Sequence, residues 1–108
     1  MTGDEKIDEI KQRILAVYPD AKRVVLFGSR AAGTADANSD FDIMVVVTTD
    51  LPPAKRVALL RAALFGLGCA FDLLVVTPSE FKHLKNWQST AISWADKQGI
   101  VLHEAKAA

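Results

Sequence analysis

Three acidic residues stand at the mouths of apolar runs. Asp40 and Asp42 are one residue apart, and Phe41 to Val47 is otherwise apolar and rich in valine. In a strand, positions i and i+2 point the same way. The two carboxylates would share a face, with Cα atoms roughly 7 Å apart. Like charges there repel, and each loses solvation at the edge of a core. A divalent cation offsets both costs, and oxygen-only ligands suit Mg²⁺ or Mn²⁺ rather than zinc. Asp72 opens a second run of the same kind, Asp72-Leu73-Leu74-Val75-Val76. Were the two strands neighbours, Asp72 would face the same site. Three carboxylates on two strands can hold two metals, roughly 3.5–4 Å apart, across a phosphate.

Gly28-Ser29 closes an earlier apolar run, Val24 to Phe27. A strand that ends in Gly-Ser and then turns helical presents backbone N–H groups and a hydroxyl, which can cradle phosphate oxygens. The glycine permits close backbone approach. Arg30 follows and would add charge to a polyphosphate site. Taken singly, Gly-Ser is an ordinary turn and Asp-x-Asp an ordinary solvated strand start. In this order they form a Gly-Ser-x10-Asp-x-Asp signature with a third acid downstream. A two-metal centre beside a phosphate turn is what in-line nucleotidyl transfer requires.

The elements that must position these residues follow from periodicity. Ile7, Ile10, Ile14, Leu15 and Tyr18 recur at helical spacing, and Pro19-Asp20 stops that helix. Val24–Phe27, Phe41–Val47 and Phe71–Val76 read as strands, the second buried on both faces beyond Asp42. Pro52-Pro53 starts a helix whose stripe is Val57, Leu60, Leu64 and Leu67, with Lys55, Arg56 and Arg61 on a solvated face. Gly66 and Gly68 end it. Thr77-Pro78-Ser79-Glu80 opens another helix, with Phe81 and Leu84 on one side. A last helix is expected over Ser89–Lys97, stopped by Gly99, and a short strand over Ile100–Leu102. Ala31 to Asp40 is the one long polar loop, and loops of that length in small domains carry function. The expected class is α/β (α+β): a small mixed β-sheet with helices packed against it, in one domain over residues 1–108.

Composition bounds the chemistry further. Thirteen Lys+Arg balance thirteen Asp+Glu, so there is no basic surplus for a general nucleic-acid coat, and no direct DNA binding is expected. The single cysteine, Cys69, rules out an intrachain disulfide and a multi-cysteine zinc site, and it reads as buried filler. The charged N-terminus has no apolar signal region, and the longest apolar run, Ala62–Phe71, is too short for a membrane span. A cytoplasmic chain is expected. His83 reads as part of a solvated face, and His103 has no visible partner. Trp87 and Trp94 read as core or partner interface, and with Phe81 they could form a sticky C-terminal surface. A phosphatase Asp-x-Asp pair would follow its apolar strand, whereas here Val45, Val46 and Val47 come after the pair. A P-loop lacks its Gly-x4-Gly-Lys-Ser/Thr.

The segments Leu26-Phe27-Gly28-Ser29-Arg30-Ala31-Ala32-Gly33, Asn38-Ser39-Asp40-Phe41-Asp42-Ile43 and Phe71-Asp72-Leu73 together resemble the minimal nucleotidyltransferases of the DNA polymerase beta superfamily. The resemblance implies the nucleotidyltransferase fold. It places catalysis and metal binding on Asp40, Asp42 and Asp72, and triphosphate binding on the turn Gly28-Ser29 with Arg30. It implies Mg²⁺, with Mn²⁺ as an alternative, and ATP as the substrate. Such proteins are commonly antitoxins paired with a HEPN RNase toxin, which they adenylylate on a tyrosine. Many relatives carry a second arginine where this chain has Ala32. Two functions are therefore weighed: an AMP-transferring antitoxin, and a non-catalytic module of the same fold that neutralises a HEPN partner by occlusion. An antibiotic nucleotidyltransferase would need a further substrate domain.

Overall fold

The computed structural model describes residues 3–35, 39–84, 95 and 97–105. Helix α1 (Gly3–Val17) leads into strand β1 (Arg23–Phe27), the one-turn helix α2 (Ser29–Ala32) and β2 (Phe41–Val46). Helix α3 (Pro53–Leu64), β3 (Phe71–Val76), α4 (Pro78–Leu84) and β4 (Ile100–Glu104) complete the order. The four strands form one sheet in the order β3-β2-β1-β4. β1 runs antiparallel to both β2 and β4, while β2 and β3 are parallel. A parallel pair needs a crossover, and α3 supplies it.

Strand alternation divides the core between the two faces of the sheet. Val24, Leu26, Phe41, Ile43, Val45, Leu73 and Val75 face the cluster formed with Ile10, Ile14 and Tyr18 of the α1 segment and Leu60 and Leu64 of α3. Val25, Phe27, Met44, Val46 and Val76 pack with Phe81 of α4 and with Ala95. In β2 every residue after Asp42 is buried, as a strand covered on both sides requires. Asp4 and Glu5 sit in the first turn of α1, where negative charge meets the positive end of the helix dipole. Arg13 pairs with Glu9 one turn back at 2.9 Å and donates to the Ala63 and Phe65 carbonyls, so α1 caps the open C-terminal end of α3.

The opening of α4 is a reciprocal capping box. Thr77 N–H donates to Glu80 Oε1 at 2.9 Å, and Glu80 N–H donates to Thr77 Oγ1 at 3.2 Å. Phe81 and Leu84 face the second core cluster together, as the spacing predicts. Phe81 is thus core, and it contributes nothing to a sticky surface. The expected loop from Ala31 starts later, because Ala31 and Ala32 belong to α2. The predicted helix over 89–97 and the pair Trp87 and Trp94 fall outside the described residues, save that Ala95 and Lys97 have helical backbone. Gly99 passes so close to Val25 and the Ala95 carbonyl that a Cβ there would have no room. That close passage leads into β4, which extends to Glu104 rather than Leu102.

Arg56 corrects the sequence reading. Expected on a solvated face beside Lys55 and Arg61, it is 7% exposed, while those two are exposed. Its Nε donates to Leu51 O at 2.7 Å, and its Nη1 donates to Glu80 Oε1 at 2.8 Å and to Val75 O at 3.3 Å. A buried guanidinium is tolerated because acceptors surround it. It ties α3, the end of β3 and the start of α4 together. Tyr18 adds a further tie by donating its hydroxyl to the Arg56 carbonyl at 2.9 Å. Cys69 is half-buried and packs against the first cluster, as a small apolar filler does.

Candidate active site

Parity places the acids. Asp42 shares the face of Met44 and Val46, and Asp72 shares that of Leu74 and Val76, so both lie on the α4 side of the sheet. Asp42 and Asp72 are register partners across the parallel β2–β3 pair. Such partners sit one strand spacing apart, roughly 4.8 Å between backbones. Asp40 lies just before β2, outside the ladder, and is exposed. On the other side of β2, Asp42 is the register partner of Phe27. The chain turns there at Gly28, directly beside the Asp42 carboxylate.

Gly28 has φ 72° and ψ −154°, a conformation open almost only to glycine. A Cβ there would fall inside the Asp42 carboxylate. Glycine is required twice over, by backbone shape and by close approach. From this turn the chain winds into α2: Ala32 N–H donates to Gly28 O at 3.0 Å, and Thr34 N–H to Ser29 O at 3.0 Å. Ser29 is half-buried at the start of that turn. Burial, followed by the negative charges of Asp72 and Asp40, raises the Asp42 carboxyl above the usual carboxylate range.

Among the described residues no three His, Cys, Asp or Glu side chains are gathered into a ready-made metal cage. Asp40 and Asp72 are both exposed to water, and Asp42 is half-buried between them and the Gly28 turn. The donor set nonetheless fits a hard divalent cation. It is all oxygen, and it is carried by two adjacent strands and the residue preceding one of them.

Arg30 does something the sequence reading did not foresee. Its Nη2 donates to Ser39 O at 2.8 Å, and its Nε donates to the same oxygen at 3.3 Å. Its Cζ lies 4.0 Å from the centroid of the Phe41 ring. Phe41 in turn lies against Phe71 at 5.8 Å.

With this geometry in view, comparison with known proteins identifies the lineage. The family model described as polymerase beta, nucleotidyltransferase matches residues 8–106. The chain belongs to the polymerase beta nucleotidyltransferase family. It is 46% identical to the protein adenylyltransferase MntA of Aphanizomenon flos-aquae (strain 2012/KM1/D3) over 41 residues, 38% of this chain and 27% of that protein. The match thus spans about a quarter of that relative. Among solved structures, a toxin–antitoxin with AMP-PNP superposes with a TM-score of 0.68 at 22% identity, covering 93% of this chain and 74% of the other. A complex of tri-AMPylated Shewanella oneidensis HEPN toxin with MNT antitoxin gives a TM-score of 0.64 at 19% identity, covering 96% and 74%. These likenesses are of fold.

Within this nucleotidyltransferase fold, Gly28, Asp42 and Asp72 come together, with Asp40 at the edge and Ser29 in the adjoining turn. The aromatic pair behind the acids was not singled out from the sequence. Its signal is the repeat of Phe-Asp at the head of both strands, Phe41-Asp42 and Phe71-Asp72. Parallel register makes each member of one repeat face its counterpart.

Proposed function

We propose that this chain transfers AMP from ATP to a hydroxyl of a partner protein, a tyrosine of a HEPN RNase toxin, and so acts as the antitoxin of the pair. One observation carries the reading: Asp42 and Asp72 stand side by side on parallel strands, with the Gly28 turn pressed against Asp42. Supporting it, one relative is named a protein adenylyltransferase, and one fold neighbour is an MNT antitoxin in complex with a tri-AMPylated HEPN toxin. A single nucleotidyltransferase domain over 1–108, working in the cytoplasm where ATP and Mg²⁺ are at hand, is part of the same proposal. No helix among the described residues is long and apolar enough to cross a membrane.

Asp40 and Asp42 would hold the metals, Mg²⁺ or Mn²⁺, and Asp72 would complete the one on the acceptor side. Bound there, divalent cations supply charge neutralisation across the triphosphate and acidify the acceptor hydroxyl. The Gly28-Ser29 turn would receive the triphosphate through backbone N–H groups and the Ser29 hydroxyl. The phenol oxygen attacks the α-phosphorus as the bond to the β-phosphoryl oxygen breaks, and pyrophosphate leaves in line. The phenolic proton passes toward the Asp72 carboxylate and on to water. No covalent enzyme intermediate is needed in this scheme, so beyond the proton transfer to Asp72 catalysis would be positioning and electrostatics.

The test is incubation of the chain with a HEPN toxin and Mg-ATP, reading the toxin's intact mass. A gain of one or more AMP units that disappears with Asp42→Asn is expected. A toxin that is bound and silenced at unchanged mass would replace transfer with occlusion.

A further inference from the structure

Asp40 has a positional weakness that Asp42 and Asp72 do not share. It precedes β2 and so lies outside the strand ladder. The residues that bracket it, Ser39 and Phe41, are both held by one side chain from a different element. The Arg30 guanidinium reaches back from α2 to donate twice to the Ser39 carbonyl. Its flat face covers the ring of Phe41, which is 2% exposed. Phe41 N–H donates to Ala70 O at 3.0 Å, and its ring meets Phe71, the residue before Asp72. The contacts run Arg30, Phe41, Phe71, with an acid next to each aromatic ring.

We infer that Arg30 is a positioning residue that fixes Asp40 over the metal site through Ser39 and Phe41, rather than a ligand of the triphosphate. The inference rests on the metal-dependent reading above. Two of the guanidinium's nitrogens are committed to a backbone carbonyl and its face to an aromatic ring. A planar fork makes both contacts at once, and an ammonium cannot. Residues that orient a metal ligand commonly shift metal affinity by ~10–100-fold when removed. A phosphate ligand would behave differently, because lysine keeps the charge that a phosphate senses.

The experiment compares wild type, Arg30→Lys, Arg30→Ala and Phe41→Leu as full chains, with Asp42→Asn as the site control. The first readout is binding of Mn²⁺ alone, followed by the EPR signal of the free ion. Arg30→Lys and Arg30→Ala are each expected to weaken binding about tenfold. Phe41→Leu, which keeps an apolar core but removes the ring, should weaken it less. The second readout is AMP transfer to a HEPN toxin. There kcat should fall about tenfold in both Arg30 variants, while KM for ATP stays within about twofold. Mn²⁺ binding at wild-type strength in the Arg30 variants would overturn the inference, whatever happens to transfer. So would a raised KM for ATP in Arg30→Ala that Arg30→Lys restores. Wild type that binds Mn²⁺ through Asp42 yet transfers nothing would remove the functional reading while leaving the positioning role supported by the first readout. Wild type that binds no Mn²⁺ would remove both.

Discussion

At the scale of single residues, Gly28 and Asp42 are one device. The strained turn exists so that backbone can press against a carboxylate that is itself disfavoured by burial and by two neighbouring charges. Gly28→Ala should therefore cost about 1–3 kcal/mol for the backbone conformation alone. It should also push Asp42 out of place and abolish transfer. Gly33 offers the contrast, since its φ is also positive, at 77°, but a Cβ there meets nothing within 4 Å. Gly33→Ala should cost about 1–2 kcal/mol and keep most of the transfer activity. Urea unfolding and the mass assay on the two variants separate strain from displacement. Equal activity in both would mean that Gly28 serves the turn only. The acids and the glycine were legible in the sequence through their joint order and spacing, since each alone is an ordinary turn or strand start. The partner of Arg30 was not. A cation beside a phosphate turn suggests phosphate, and only the fold shows that a carbonyl and a ring also lie against it.

At the scale of elements, the valine-rich runs marked β1, β2 and β3 within a residue or two, while α3, which starts at Pro53 as expected, ends at Leu64 and leaves Leu67 of the predicted stripe beyond it. The capping box of α4 was equally legible, since Thr77 and Glu80 have the spacing that closes it. Arg56 escaped because a charge three residues into a helix reads as solvated, and its acceptors come from Leu51, Val75 and Glu80. Glu80 connects the two. The N–H of Thr77, then the side chain of Arg56, holds its carboxyl below the ordinary value despite some desolvation. A lowered carboxyl stabilises the fold above its unfolded pKa, and that stabilisation is lost as pH falls through the folded one. Glu80 is 40% exposed, so solvent screens much of it. Glu80→Gln should cost at most about 1 kcal/mol near neutral pH. The gap to wild type should close in acid, where both side chains are neutral. Urea titrations at neutral and acidic pH check this, and a gap that is independent of pH would assign the loss to packing rather than to charge.

At the scale of the whole molecule, the decisive feature is that β3 lies beside β2 and runs parallel to it. No local pattern states this. The repeat of acid and apolar residues in the two strands permits it, and α3 as a crossover enforces it. The consequence is an accumulation of negative charge at one end of the sheet, where Asp42 and Asp72 are register partners and Asp40 lies just before β2. A divalent cation that binds this end binds only the folded chain, because the unfolded chain does not bring Asp42 and Asp72 together. Linkage then raises stability by RT ln(1 + [M]/Kd), which is about 1.4 kcal/mol at ten times Kd. For a chain of this size that is a rise of roughly 5–10 °C in Tm. Thermal melts in Mg²⁺ or Mn²⁺ should show it in wild type. Asp42→Asn should start slightly more stable than wild type without metal, because the neutral amide ends the repulsion with Asp72 and Asp40. It should then gain nothing from the cation. That reversal, in which the variant is the steadier protein in chelator and the weaker one in metal, is specific to a site whose charges are tolerated for a ligand. A rise in Tm of the same size in both proteins would place the cation elsewhere on the surface, and with it the chemistry assigned to this end of the sheet.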